Sequence, residues 1–190
     1  LAVGVGPGDE VVTVSHSYVA TANAVRYCGA TPVFVDVEPD TFNIDVNQVE
    51  AAITSKTKAI MAPSLIGNLP DWDRLAELAR KHGLYLVEDS ADTLGATLRG
   101  DSTGARSDIS TTSFYGSHII NGAGNGGMLC RGEQRGSVIR CRPGAQGGFA
   151  SAELSRESGQ FRKYGGVRIG PKIDVTIARL AQQQPGAREL

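Results

Sequence analysis

Aromatic residues are scarce, at 6% of the 190 residues, and net charge is almost absent, at -1. A chain this near neutrality offers no global field for nucleic acid or an acidic membrane, so neither is expected as a partner. Cysteine is rare as well. Cys28, Cys130 and Cys141 are odd in number and none stands in a C-x-x-C pair, so neither a disulfide framework nor a zinc knuckle is indicated. That usage fits a reducing, cytoplasmic setting. No apolar run reaches the ~18 residues a membrane span needs. The first residue is Leu1, no basic stretch precedes an apolar one, and no signal peptide is legible. The absent Met leads us to expect a fragment. What is present is globular: 41% hydrophobic and 21% charged residues, a composition that excludes disordered chains and coiled coils.

The near-zero charge conceals two unlike parts. Residues 1–130 hold 8 Lys+Arg against 15 Asp+Glu, net -7; residues 131–190 hold 11 against 5, net +6. Glycine is also dense in the second part.

The first part has a regular rhythm. Glu10–Val14 is β-branched and reads as a strand, Tyr18–Tyr27 as a helix closed by Gly29, and Pro32–Val37 as a second strand. Asp45 can cap a helix running to Ile53. Thr57–Ala62 is a third strand. Asp71 caps a helix whose Trp72, Leu75, Ala76 and Ala79 form an apolar stripe, and Gly83 ends it. Leu84–Glu88, Ile109–Phe114 and Gly127–Cys130 read as further strands. Strands alternating with helices predict an α/β domain with a mainly parallel sheet covered on both faces.

In such sheets ligands bind beyond the carboxyl ends of the strands. The residues that follow the strands are Ser15-His16-Ser17-Tyr18, Asp36, Pro63-Ser64, Asp89-Ser90-Ala91-Asp92 and Ser113-Phe114-Tyr115-Gly116-Ser117-His118. Carboxylates, hydroxyls, an aromatic ring and a histidine thus converge on one rim. Taken singly, Asp89 reads as a turn cap and Ser113 as a strand end. Together they suit a planar, charged, phosphorylated cofactor. Gly122–Gly127 fits G-x-G-x-x-G by letter, but a strand rather than a helix is expected after it, which argues against dinucleotide binding. His16 reads as structural, and His82 as a last-turn residue favoured by the helix dipole.

Four stretches, GVGPGDEVVTVSHSYVATANAVRYCGATPVFVDVEPDTFNID, AITSKTKAIMAP, HGLYLVEDSADTLGA and SFYGSHIINGAGNGGML, run in unbroken order over residues 1 to about 130. They resemble the nucleotide-sugar aminotransferases, pyridoxal-phosphate (PLP) enzymes of the aspartate-aminotransferase fold, also called PLP fold type I. The resemblance implies an incomplete large domain in residues 1–130 and assigns roles there. Asp89 matches the carboxylate that pairs with the pyridine nitrogen, keeping it protonated so that the ring is an electron sink. Tyr18 matches an aromatic that stacks on the ring. Ser113 matches a hydroxyl that binds the cofactor phosphate, and Asp92 lies where most members have Gln or His near the ring hydroxyl.

His118 departs from that pattern. The aminotransferases carry at this position a lysine whose amine bonds covalently to PLP. Lys56, Lys58 and Lys81 do not match it. Imidazole forms no such stable bond, yet moves protons near neutral pH. One branch, the NDP-4-keto-6-deoxyhexose 3-dehydratases of deoxysugar biosynthesis, shares the His-for-Lys exchange and an Asp where Asp92 stands. This implies pyridoxamine phosphate (PMP) as a diffusible coenzyme, a nucleotide-sugar substrate, and His118 as the acid/base that accompanies loss of the C3 hydroxyl. The resemblance also implies a homodimer. For reductase-coupled members it adds an iron–sulfur reductase and a [2Fe-2S] cluster in a C-terminal part lying outside this sequence, because Cys130 and Cys141 are too few and misplaced. The family's phosphate-binding Gly/Ser-Thr-Ala turn is expected upstream of Gly4. Two other readings stand beside the dehydratase: an aminotransferase homologue with unusual cofactor anchoring, and an inactive truncated fragment.

Residues 131–190 show no such resemblance. Hydrophobic periodicity collapses there, and Arg, Gly, Ser and Gln dominate. A basic, partly disordered tail is one reading. A reading frame shifted near Cys130 is the other and the favoured one.

Overall fold

The computed structural model describes residues 1–118, the strand at 126–131 and the strand at 175–179. Nine strands and three α-helices alternate along these residues: β1 Glu10–Val14, α1 Ala20–Tyr27, β2 Thr31–Val35, α2 Val46–Val49, β3 Thr57–Pro63, α3 Trp72–His82, β4 Tyr85–Asp89, β5 Thr97–Leu98, β6 Asp101–Ser102, β7 Ile109–Ser113, β8 Gly126–Arg131 and β9 Val175–Arg179. Seven strands make one sheet in the order β2-β1-β3-β4-β7-β8-β9. β2, β1, β3, β4 and β7 are parallel; β8 runs antiparallel to β7, and β9 antiparallel to β8. The mainly parallel α/β sheet expected from the rhythm is therefore present. Most of the 131–190 segment, and the glycines 122–125, lie outside the described residues.

Alternation along the strands divides the core between two faces. On one face Val12, Val14, Ile60, Ala62 and Leu86 pack with Val46, Val49, Trp72, Leu75, Ala76 and Ala79 of α2 and α3. On the other, Val11 and Ala59 pack with Val25 of α1 and with Val5 and Ala30. The stripe expected on α3 is buried residue for residue. Asp71 caps the helix by accepting from the Arg74 amide, and Gly83 closes it in the left-handed region at φ 67°. Open space surrounds the position a Gly83 Cβ would take, so backbone strain alone sets the cost of adding one. Gly83→Ala is expected to destabilise the fold by about 1–2 kcal/mol, read as a lowered denaturation midpoint with an unchanged m value.

Four expectations need adjusting. α1 begins at Ala20, so Tyr18 sits in the loop before it. The helix after Asp45 is a single α-turn continued by a 3-10 turn at Glu50–Ala52, and Ile53 is extended. His82 is held by Glu50, 2.9 Å from its Nε2, rather than by the helix dipole alone, and Lys81 shares that carboxylate at 2.6 Å. The β5–β6 hairpin was not anticipated. Its Arg99-Gly100 turn has φ of 51° and 89°, the positive pair of a tight hairpin turn. Asp73 of α3 clasps both Arg99 and Arg106, and Arg106 also reaches Asp101 at 3.2 Å.

Candidate active site

Register places the site residues. Asp89 pairs with Pro63 of β3 and with Thr111 of β7. Ser113 lies two residues beyond Thr111, so Asp89, Thr111 and Ser113 share one face at the carboxyl edge of the sheet. α1 covers that face and delivers Thr21, a buried residue. The Thr21 hydroxyl donates to Asp89 Oδ2 at 3.3 Å and lies 2.8 Å from Ser17 Oγ. Because the carboxylate can only accept, Thr21 spends its proton on Asp89 and takes one from Ser17. The amide of Ala91 donates to Asp89 Oδ1 at 3.2 Å.

Asp89 is only modestly compensated. Burial pushes its carboxyl above the ordinary aspartate range. The Ala91 and Thr21 hydrogen bonds pull the other way, Asp92 adds to the rise, and His118 opposes it. A carboxylate disfavoured by burial and holding two long hydrogen bonds fits a cationic ring nitrogen. The buried hydroxyls of Ser64 and Thr93, just past β3 and β4, have no hydrogen-bond partner.

The segment after β7 folds back on itself. Ser113 Oγ accepts from the Tyr115 amide at 3.2 Å, the His118 amide donates to the Tyr115 carbonyl at 3.0 Å, and His118 Nδ1 lies 3.4 Å from the Ser113 carbonyl. As an acceptor, Ser113 Oγ steadies the turn and keeps its own proton to donate. A carbonyl cannot donate, so the Nδ1 contact requires a proton on Nδ1. That leaves Nε2 of the neutral ring as the basic atom. The Tyr115 and His118 rings meet edge-on with centroids 6.1 Å apart. Tyr18 and Tyr115 are 78% and 55% exposed, two large rings left open on this rim. Asp92 is exposed in the turn after β4. His16, across the rim, stacks on Phe42 with centroids 5.6 Å apart. The lysines of the described residues stand elsewhere: Lys56 and Lys58 at the start of β3, Lys81 at the end of α3.

Residues 1–138 match the DegT/DnrJ/EryC1/StrS aminotransferase family. The chain belongs to this family. The GDP-perosamine synthase of Caulobacter vibrioides is 51% identical over 129 residues, covering 68% of this chain and 34% of that protein. The dTDP-4-dehydro-2,6-dideoxy-D-glucose 3-dehydratase of Saccharopolyspora spinosa is 44% identical over 126 residues, covering 66% of this chain and 27% of that one. The UDP-2-acetamido-2-deoxy-3-oxo-D-glucuronate aminotransferase of Pseudomonas aeruginosa is 35% identical over 204 residues, covering all of this chain and 53% of that one. Among solved structures, NtdA of Bacillus subtilis with bound cofactor PMP superposes with a TM-score of 0.63 at 35% identity, covering 67% of this chain and 28% of that one. The chain therefore spans about a third of the length of the first of these relatives. Its sheet is part of a PLP fold-type I large domain. The family is one of PLP-dependent enzymes that act on sugars, most often as aminotransferases.

Thr21 is a site residue that sequence reasoning missed. A threonine in the first turn of a helix carries no motif of its own, and only the packing of α1 on the face of the sheet toward which Asp89 points brings it there.

Proposed function

We propose that this family member is the PMP-dependent kind, part of an NDP-4-keto-6-deoxyhexose 3-dehydratase in which His118 is the acid/base. What supports the reading is His118: it follows β7, the strand paired with the one that ends in Asp89, its Nδ1 faces the Ser113 carbonyl, and by the resemblance it takes the place of the aminotransferases' lysine. The similarity to the S. spinosa 3-dehydratase supports it.

Bound PMP would supply a primary amine for the C4 ketone and a ring that accepts electrons as the C3 hydroxyl leaves. The protein's own part divides among five side chains. Asp89 would hold the protonated ring nitrogen, its charge oriented by Thr21 and Ala91. Tyr18 would cover one ring face. Ser113 would give its hydroxyl proton to the phosphate. Asp92, three residues beyond Asp89, would face the ring hydroxyl. His118 would take a proton at Nε2 and return it, its ring held by the Ser113 carbonyl and by Tyr115.

The second reading, a sugar aminotransferase, is favoured by the 51% identity to GDP-perosamine synthase. It requires a lysine from somewhere to bond to PLP. Borohydride reduction of the PLP-saturated protein, followed by peptide mass mapping, separates the two. The dehydratase reading expects no cofactor fixed to the polypeptide. Fixation on any lysine supports the aminotransferase. A homodimer, an iron–sulfur reductase partner and a [2Fe-2S] cluster at relatives' full length belong to the same proposal.

A further inference from the structure

Two carboxylates stand side by side at the end of β4, and only Asp89 faces the site. Its neighbour Glu88 points to the opposite face, in register with Ala62, Ser110 and Cys130. Glu88 is 1% exposed, yet it is among the most fully engaged polar groups of the fold. Its Oε1 accepts from the Ser90 hydroxyl at 2.6 Å. Its Oε2 accepts from the Gly104 amide at 2.8 Å and the Ser107 hydroxyl at 3.3 Å. The site around it is built. Gly104 has φ of 87°, and a Cβ there would meet Ser110 Cβ at 3.0 Å, so only glycine brings this amide so close. Ser90, Ser107 and Ser110 are buried too.

The Ser90 end of this cluster is the turn that aims Asp89. The Ser90 amide donates to the Thr111 carbonyl at 2.7 Å, and the Ser90 carbonyl accepts from the Thr112 hydroxyl at 3.1 Å. With its hydroxyl held by Glu88, Ser90 is fixed at three points. The next residue, Ala91, supplies the amide that holds Asp89 Oδ1.

We propose that Glu88 is a positioning residue: acting through Ser90 from the far face of the sheet, it fixes the Ala91 amide that orients Asp89 toward the cofactor nitrogen. The proposal rests on Asp89 being the cofactor's partner, and it concerns the strut behind that carboxylate. Burying a carboxylate is costly, so a buried one with this many donors acts as a rigid anchor. Glu88→Gln keeps the strut: its carbonyl oxygen accepts from Gly104 and Ser107, while its amide donates to the Ser90 hydroxyl, which can also accept. Glu88→Ala leaves the Ser90 hydroxyl and the Gly104 amide without this acceptor, and the Ser107 hydroxyl with only the Gly104 carbonyl.

The test needs no cofactor, so its failure is distinct from failure of the cofactor reading. In the 190-residue chain, the pH titration of the 13C-labelled Asp89 carboxyl is followed together with the amide shift of Ala91. Besides burial, the groups acting on Asp89 are the Ala91 amide, Thr21, Asp92 and His118; the side chains of the last three are left unaltered, so the Ala91 contact is the one probed. In the wild type and in Glu88→Gln, the Ala91 amide should report the Asp89 titration with equal amplitude. In Glu88→Ala, and in the milder Ser90→Ala should the former not fold, that amplitude should fall by half or more. An Ala91 response that survives undiminished in Ser90→Ala would overturn the proposal. So would a Glu88→Gln chain that behaves like Glu88→Ala.

Discussion

Asp89→Asn is expected to weaken PMP binding by roughly ten- to a hundredfold. Asparagine keeps the shape of the side chain and one acceptor, so the Ala91 amide retains its partner; the charge is lost, and the Ser17–Thr21 pair must reverse so that Thr21 accepts from the new amide. A charge-assisted bond of this kind is worth on the order of 1.5–3 kcal/mol. Turnover should fall further, because pairing with the ring nitrogen counts most as negative charge develops on the ring. Stability without cofactor should move the other way. Burial, first among the causes, raises the Asp89 carboxyl above its ordinary range, so the folded state binds the proton more tightly than the unfolded chain. The stabilisation this proton gives is present at acidic pH and is lost as pH rises through the raised value. Glu88, raised for the same reason, adds to the same trend. At neutral pH the cofactor-free Asn variant should therefore melt no lower than the wild type, while binding PMP worse. Fluorescence titration with PMP and thermal denaturation of the same two samples measure both effects. Asp92→Asn is the comparison. Asp92 is exposed and would face the ring hydroxyl rather than the nitrogen, so its substitution should weaken PMP binding less than Asp89→Asn does.

His118→Lys is expected to exchange one chemistry for another. A lysine on the turn held by Ser113 and Tyr115 would place an amine on the rim beside Asp89. With PLP it should give a new visible absorbance and a cofactor that borohydride fixes to position 118. Loss of the C3 hydroxyl should fall by about a hundred- to ten-thousandfold, the usual contribution of a positioned acid/base. His118→Gln should lose the reaction equally without gaining the absorbance. If His118→Lys retained the dehydration rate, the proton would be handled elsewhere.

The fold was largely legible because burial writes itself into composition. A strand covered on both faces must be apolar throughout, and VVTV, AIMA and LYLV are so. Helix ends were legible where a cap has a chemical reason, as at Asp71 and Gly83. Short elements were not: two residues of strand on either side of Arg99-Gly100 have no periodicity to detect. The site was legible only in outline. Asp89, Ser113 and His118 follow strands that end on the same edge, and topology then unites them. Thr21 and Glu88 escaped for a different reason. Their importance lies in partners 68 and 16 residues away, and neither separation leaves a mark in the local sequence. The partner of His82 escaped in the same manner, since Glu50 lies 32 residues before it.

The reading turns on what His118 does to the sugar. The most direct measurement is a single turnover, at relatives' full length, of PMP-loaded protein with an NDP-4-keto-6-deoxyhexose labelled with 18O at the C3 hydroxyl, followed by mass spectrometry of the nucleotide sugar and the water. The account predicts that the label leaves the sugar and appears in water, in the wild type and not in His118→Gln. A product that keeps the C3 label and carries an amino group at C4 would contradict it.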